Sequence, residues 1–255
     1  MPLLQTSGLT HFFGGLRAVY DFSLSLEEGE LLGLIGPNGA GKTTIFNLIC
    51  GVYRPTEGQI LFNGTNLIGY RPHQVTSTGI GRTFQNIRLW NQLSVLDNVK
   101  IAHYSKVKYG IVDSVLRSGR CRREEAEIEK RAIELLDIFG VASYAHELAR
   151  NLPYGEQRRV EIARALAAEP RLLLLDEPAA GMNPGEIDQL LELIQWLRKE
   201  FNLTVWIIEH QMQVIMSICE RIQVIDFGET IAEGTPAEIQ ANPRVIEAYL
   251  GKEVR

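Results

Sequence analysis

Between an apolar run, Leu31 to Ile35, and a stretch of helical composition, Thr43 to Cys50, the chain reads Gly36-Pro37-Asn38-Gly39-Ala40-Gly41-Lys42-Thr43. No other segment constrains the fold as tightly. A buried strand that turns into a helix through glycines lets backbone N–H groups wrap an anion that side chains would exclude. The helix N-terminus adds the favourable end of its dipole. The pattern predicts a phosphate-binding loop, with Lys42 paired to the β- and γ-phosphates of a nucleotide and Thr43 on Mg²⁺. The nucleotide-binding set is Gly36, Pro37, Asn38, Gly39, Ala40, Gly41, Lys42, Thr43 and Thr44.

A second element is Arg171-Leu172-Leu173-Leu174-Leu175-Asp176-Glu177-Pro178, an apolar run that ends in two adjacent acids. A strand with no polar face belongs in a sheet centre. Ligands collect at the C-terminal edge of such sheets. There Asp176 can orient the Mg²⁺ shell while Glu177 faces the γ-phosphate and polarises a water.

The rest of the chain supplies the setting for these two elements. Val19, Phe22, Leu24 and Leu26 alternate with polar residues and predict antiparallel strands before residue 30; Gln59 to Phe62 with Asn63-Gly64 predicts a hairpin. From about Leu93 to Leu166 the period is helical, which marks a second lobe. Strand patterns at Leu172 to Leu175 and Val205 to Ile208 flank a helical stretch from about Glu186 to Glu200, so the main sheet is mostly parallel. A hairpin around Phe227-Gly228 and two short helices in Pro236 to Leu250 complete the reading. The predicted fold class is α/β: a P-loop NTPase core, an N-terminal antiparallel β-subdomain and a helical subdomain. The divisions fall at about 1–92 and 167–235 for the core with its β-subdomain, 93–166 for the helices and 236–255 for the tail.

Composition narrows the function classes. A net charge of −5, from 26 basic and 31 acidic residues, supplies no global positive field for nucleic acid. No apolar run approaches the roughly 20 residues that span a bilayer, and the N-terminus carries no secretory signal. Cys50, Cys121 and Cys219 are widely spaced and are expected to be reduced thiols in a cytoplasm.

The turn Leu152-Pro153-Tyr154-Gly155-Glu156-Gln157, which enters the amphipathic stretch Arg158 to Leu166, resembles the signature of the ATP-binding cassette family. That signature usually runs Leu-Ser-Gly-Gly-Gln; here Pro153 stands at the serine and Tyr154 at the first glycine. The resemblance implies that Tyr154, Gly155 and Glu156 face the γ-phosphate of a nucleotide held by the opposite subunit. It also implies that Gln85 senses Mg²⁺ and the attacking water, that His210 contacts the γ-phosphate, and that Phe13 stacks on adenine. Ala180 to Pro184 matches the loop that crosses the dimer interface, with Asn183 where aspartate is usual.

Phe13-Gly14-Gly15-Leu16, Tyr154 to Arg159 and Ile246 to Gly251 are similar to segments of the importers of branched-chain amino acids, as is the Tyr104 to Arg123 stretch with its basic run Arg117, Arg120, Arg122 and Arg123. That run could face a membrane or partner, but Glu124, Glu125 and Glu127 follow at once and favour a solvated helix end. The resemblance implies an ATPase using ATP and Mg²⁺ and working as half of a pair with a second cassette subunit. Two transmembrane permease subunits and, indirectly, a periplasmic or extracellular solute-binding protein would be partners, with the chain on the inner face of the cell membrane. Val160 to Leu166 and the Tyr-Leu-Gly ending are shared with the ATPase of lipopolysaccharide export, the second transport reading. A soluble cassette ATPase acting on ribosomes or DNA, and a regulatory nucleotide-binding module without catalysis, are the readings from other classes.

Overall fold

Alternating apolar residues near the N-terminus build two antiparallel strands, β1 (Leu4–Phe13) and β2 (Leu16–Leu26), in the computed structural model, which describes residues 1–104, 107 and 109–250. Leu4, Leu9, Val19, Phe22, Leu24 and Leu26 all turn inward and are buried. β4 (Glu57–Phe62) pairs with the other edge of β1 and continues through Asn63-Gly64 into β5 (Thr65–Asn66). Both turn residues have positive φ, 48° and 75°, as the mirror-image turns of tight hairpins require. The small sheet runs β2-β1-β4-β5.

The second sheet has six strands in the order β10-β9-β3-β8-β7-β6. Its members are β3 (Leu31–Ile35), β6 (Ile80–Arg82), β7 (Leu172–Asp176), β8 (Thr204–Ile208), β9 (Arg221–Asp226) and β10 (Glu229–Gly234). All neighbours are parallel except the hairpin β9–β10. β3, β7 and β8 are buried along their whole length, which is why each reads as an unbroken apolar run. β6 is not legible in the sequence, because three residues that include Gly81 display no period. Its edge position is set by its pairing to β7.

Helices α1 (Lys42–Ile49), α2 (Pro72–Thr78), α7 (Pro184–Glu200), α8 (Met212–Ile218), α9 (Pro236–Ala241) and α10 (Pro243–Leu250) belong with these sheets. Trp206 of β8 is fully buried between Phe22 of β2 and Phe46 of α1, with ring centroids 6.3 and 5.1 Å away. A ring of that size buries roughly 200 Å², a contribution of about 5 kcal/mol relative to exposure. The small sheet, α1 and the parallel sheet thus share one core.

The chain separates into two compact units: Met1–Arg82 with the chain from Arg171 onward, and Thr83–Pro170. The second contains α3 (Val95–His103), α4 (Ile111–Leu116), α5 (Gly119–Ile138) and α6 (Tyr154–Ala167). α5 buries Cys121, Ile128, Ala132 and Leu136, one stripe at helical spacing, and most of its other residues are charged. Residues 83–92 and 167–170, which the sequence reading groups with the core, lie in the helical unit. The reason is tertiary bonding. Buried Asn98 of α3 accepts from the Trp90 N–H at 2.8 Å and donates to the Trp90 carbonyl at 3.1 Å, while Arg131 of α5 pairs with Glu169 at 2.9 Å.

No helix among the described residues is long and apolar enough to cross a membrane. Cys50, Cys121 and Cys219 are buried free thiols. Tyr104 donates to Glu125 at 2.9 Å, and Arg120 meets Glu124 at 3.4 Å on the exposed side of α5. Residues 105, 106, 108 and 251–255, parts of the segments singled out in the sequence, lie outside the described residues.

Candidate functional site

β3 delivers Gly36 to the C-terminal edge of the parallel sheet, where the backbone turns through positive φ at Gly36, Gly39 and Gly41 before α1 begins at Lys42. Two of these glycines are fixed by their surroundings. A Cβ on Gly36 would lie 2.1 Å from the Ile225 carbonyl oxygen, and one on Gly41 would lie 2.5 Å from that of Ala18. Gly39 is different, since a Cβ there would meet nothing within 4 Å. The loop is clamped from behind and open in front. The Gly228 N–H, from the β9–β10 turn, donates to the Ala40 carbonyl at 2.9 Å and completes the clamp. Pro37, Asn38 and Gly39 reach the surface, as do Thr43 and Thr44 at the N-terminus of α1, while Ala40 packs inward.

Lys42 folds back over this loop. Its Nζ donates to the carbonyls of Gly36 at 2.6 Å and Pro37 at 3.0 Å, and the side chain is buried. Burial lowers its affinity for the proton; the carboxylates of Glu177 and Asp176 act in the opposite direction. An ammonium whose hydrogen bonds go to neutral carbonyls, at a loop rich in N–H groups, is placed to take up an anion.

The register of the parallel strands brings the acids to the same edge. Asp176 of β7 lies opposite Ile208 of β8, and Leu34 of β3 lies opposite the same Ile208. Glu177 and His210 therefore leave neighbouring strand ends. His210 Nδ1 is 3.6 Å from Glu177 Oε2, with the imidazole half exposed and the carboxylate mostly covered. Glu177 sits at φ 48°, a strained conformation for a residue with a Cβ, and its N–H donates to the Ile208 carbonyl at 2.9 Å.

Two residues that sequence reasoning passed over complete this cluster. Arg82, the last residue of β6, donates to Asp176 Oδ2 at 3.0 Å and to Asn47 Oδ1 of α1 at 2.7 Å. Glu209 is fully buried and accepts from the N–H groups of Ala179 at 2.8 Å and His210 at 3.2 Å, so one carboxylate ties the turn after Glu177 to the backbone of the histidine. Burial pushes the Glu209 carboxyl up, against those two N–H groups and His210. An acid adjoining a histidine just after an apolar strand was the available signal for Glu209. Arg82 had none, since its partners are distant in sequence.

Among the described residues no three His, Cys, Asp or Glu side chains form a metal cage. The donor set at this edge, the exposed Thr43 hydroxyl and the buried Asp176 carboxylate, suits a hard divalent cation that shares phosphate oxygens with a nucleotide.

Phe13 ends β1 with its ring edge-on to His11 at 4.7 Å and Tyr53 at 5.2 Å, and it remains half exposed. Asn183 caps α7: its side chain accepts from the Glu186 N–H at 3.0 Å, and Glu186 accepts from the Asn183 N–H at 2.9 Å. A good N-cap explains the asparagine.

In the helical unit, Pro153 is the N-cap of α6 and offers no side-chain acceptor. The first N–H groups of the helix, at Tyr154, Gly155 and Glu156, have no intrahelical acceptor by construction. Tyr154 is exposed, and Gln85 is exposed in the bend after β6. Pro153→Ser restores a Ser-x-x-Glu capping box with Glu156, and should raise stability by about 1 kcal/mol. Turnover should stay within about tenfold of wild type, equivalent to roughly 1.4 kcal/mol in the barrier, because backbone N–H groups and the dipole remain. Thermal melts and ATPase assays check both; a larger loss of turnover would mean that the proline sets the geometry of the turn.

The ABC transporter family profile matches residues 19–180, and that of the branched-chain amino acid ATP-binding cassette transporters matches residues 229–255. The high-affinity branched-chain amino acid transport ATP-binding protein LivG of Salmonella typhimurium is 46% identical over 98% of both chains. BraF of Pseudomonas aeruginosa, which bears the same description, is 44% identical over 98% of both. The lipopolysaccharide export system ATP-binding protein LptB of Escherichia coli is 36% identical over 100% of both. Among solved structures, the ADP conformation of MJ1267, an ATP-binding cassette of an ABC transporter, superposes with TM-score 0.84 at 29% identity, covering 99% of this chain and 100% of that one. The dimeric post-hydrolysis state of the cassette MJ0796, bound to ADP and Pi, gives TM-score 0.78 at 28% identity over 91% and 98%. With a phosphate-binding loop, an acidic strand end and full-length matches to ATP-binding proteins of branched-chain amino acid transport, the chain belongs to the ABC transporter family.

Proposed function

We propose that this chain hydrolyses ATP to drive import of branched-chain or related amino acids through separate permease subunits. The observation that carries the reading is the 46% identity to LivG over nearly the whole of both chains. The lower identity to LptB, 36%, makes lipopolysaccharide export the second reading.

In this reading Gly36 to Thr44 cradle the phosphates, Lys42 pairs with the terminal ones and Phe13 stacks on adenine. Thr43 and Asp176 hold Mg²⁺, which when bound neutralises phosphate charge, and Gln85 reports on it. Glu177 accepts the proton of the attacking water, and His210 beside it meets the γ-phosphate. Tyr154, Gly155 and Glu156 of a second cassette subunit close over the same nucleotide. That subunit is a second copy or a related chain. The pair works on the inner face of the membrane with two permease subunits, and a solute-binding protein delivers the amino acid. The solved dimer of the cassette MJ0796 with ADP and Pi supports the pairing of two cassettes.

The test is reconstitution of the native complex in liposomes. ATP inside, with the cognate solute-binding protein outside, should drive leucine accumulation that is lost with Lys42→Ala. ATP hydrolysis unaffected by any amino acid and stimulated by lipopolysaccharide would favour the second reading and overturn the first.

A further inference from the structure

α6 carries a buried ion pair on its second turn. Arg158 and Glu161 are both fully buried, with Arg158 Nη1 2.8 Å from Glu161 Oε2. The guanidinium also donates from Nη1 to the Phe84 carbonyl at 2.7 Å and from Nη2 to the Gln85 carbonyl at 2.8 Å. The second carboxylate oxygen of Glu161 accepts from the Arg88 N–H at 3.1 Å. The pair therefore grips three backbone groups of one loop. Asn98 holds the far end of the same loop at Trp90, and the ring of Phe84 lies under the Arg88 guanidinium at 4.0 Å.

Stability does not explain this arrangement. Burying two charges costs several kcal/mol per ion, and apolar replacements of similar volume are often neutral or better. Burial raises the Glu161 carboxyl even against the opposing effects of Arg158, the Arg88 N–H and Arg164, so ionising it in place is a net cost. What the pair supplies is geometry, since a planar guanidinium can meet two carbonyls and one carboxylate only in a single register.

We propose that the Arg158–Glu161 pair is a positioning lock that makes the loop Phe84–Arg88 and the signature helix one rigid body, so that Gln85 and the Tyr154-Gly155 turn move together. The inference rests on the reading that Gln85 and the signature take part in hydrolysis. Its consequence is that a displacement of the Tyr154-Gly155 turn displaces Gln85 with it. Arg158 and Glu161 are fully buried and act through the loop and, from Arg158 Nη2, through the Tyr154 hydroxyl at 3.4 Å.

The experiment compares the full chain, in its assembled transporter for turnover, as wild type, Gln85→Ala, Arg158→Lys and the paired change Arg158→Met with Glu161→Leu. The paired variant removes both charges, so it leaves none unpaired. ATP affinity of the isolated chain should stay within about threefold, because the phosphate loop is untouched, whereas turnover should fall at least about tenfold. Exchange of the Arg88 amide should speed up at least about tenfold as its acceptor is lost. Arg158→Lys keeps the charge but not the fork, and should also turn over slowly; it supplies the comparison if the paired variant does not fold. If Gln85→Ala is slow while the lock variants turn over at the wild-type rate, the lock is overturned and the role of Gln85 stands. If Gln85→Ala itself turns over normally, the reading beneath the inference fails and the inference with it.

Discussion

Lys42→Ala should bind ATP about a hundredfold more weakly and turn over about a thousandfold more slowly than wild type. A charge-assisted bond from a buried ammonium to phosphate contributes about 2–3 kcal/mol of affinity, and more as charge moves in the transition state. That ammonium donates to the carbonyls of Gly36 and Pro37. Removing it takes away a desolvated charge along with those two contacts. The fold should therefore keep its stability to within about 1 kcal/mol, and the defect should lie in binding and chemistry. Titration with a fluorescent ATP analogue and a phosphate-release assay measure the two effects, with thermal melts as the control for folding. Affinity unchanged from wild type would overturn the assignment of Lys42 to the phosphates.

Most of the elements that build the site could be read before the structure because each is local. The loop at 36–43 announces itself by glycine spacing, and β7 by an apolar run that ends in acids. Tyr154 to Glu156 and Gln85 needed a family resemblance, since a helix start and a lone glutamine carry no chemistry by themselves. The residues that escaped are those whose partners are far away in sequence. Arg82 meets Asp176 only because β6 pairs with β7, and β6 is too short to show a period. Glu209 acts on Ala179 through the alignment of β7 with β8. The domain boundary near residue 83 is likewise set by tertiary bonds, from Asn98 and Arg158 to the loop, and not by composition.

In the proposed mechanism Glu177 activates water at a nucleotide shared by two subunits. Glu177→Gln preserves side-chain size, the strained backbone at φ 48° and the N–H bond to Ile208. It removes only the proton acceptor, so turnover should drop by about a thousandfold while ATP still binds. Unhydrolysed ATP then remains as part of the interface and stabilises the pair by linkage. Light scattering of the purified variant at high concentration should show a dimer with Mg²⁺ and ATP and a monomer with ADP, while wild type should be mostly monomeric with either once hydrolysis has run. A Glu177→Gln chain that hydrolyses ATP at the wild-type rate within the assembled transporter would contradict this account.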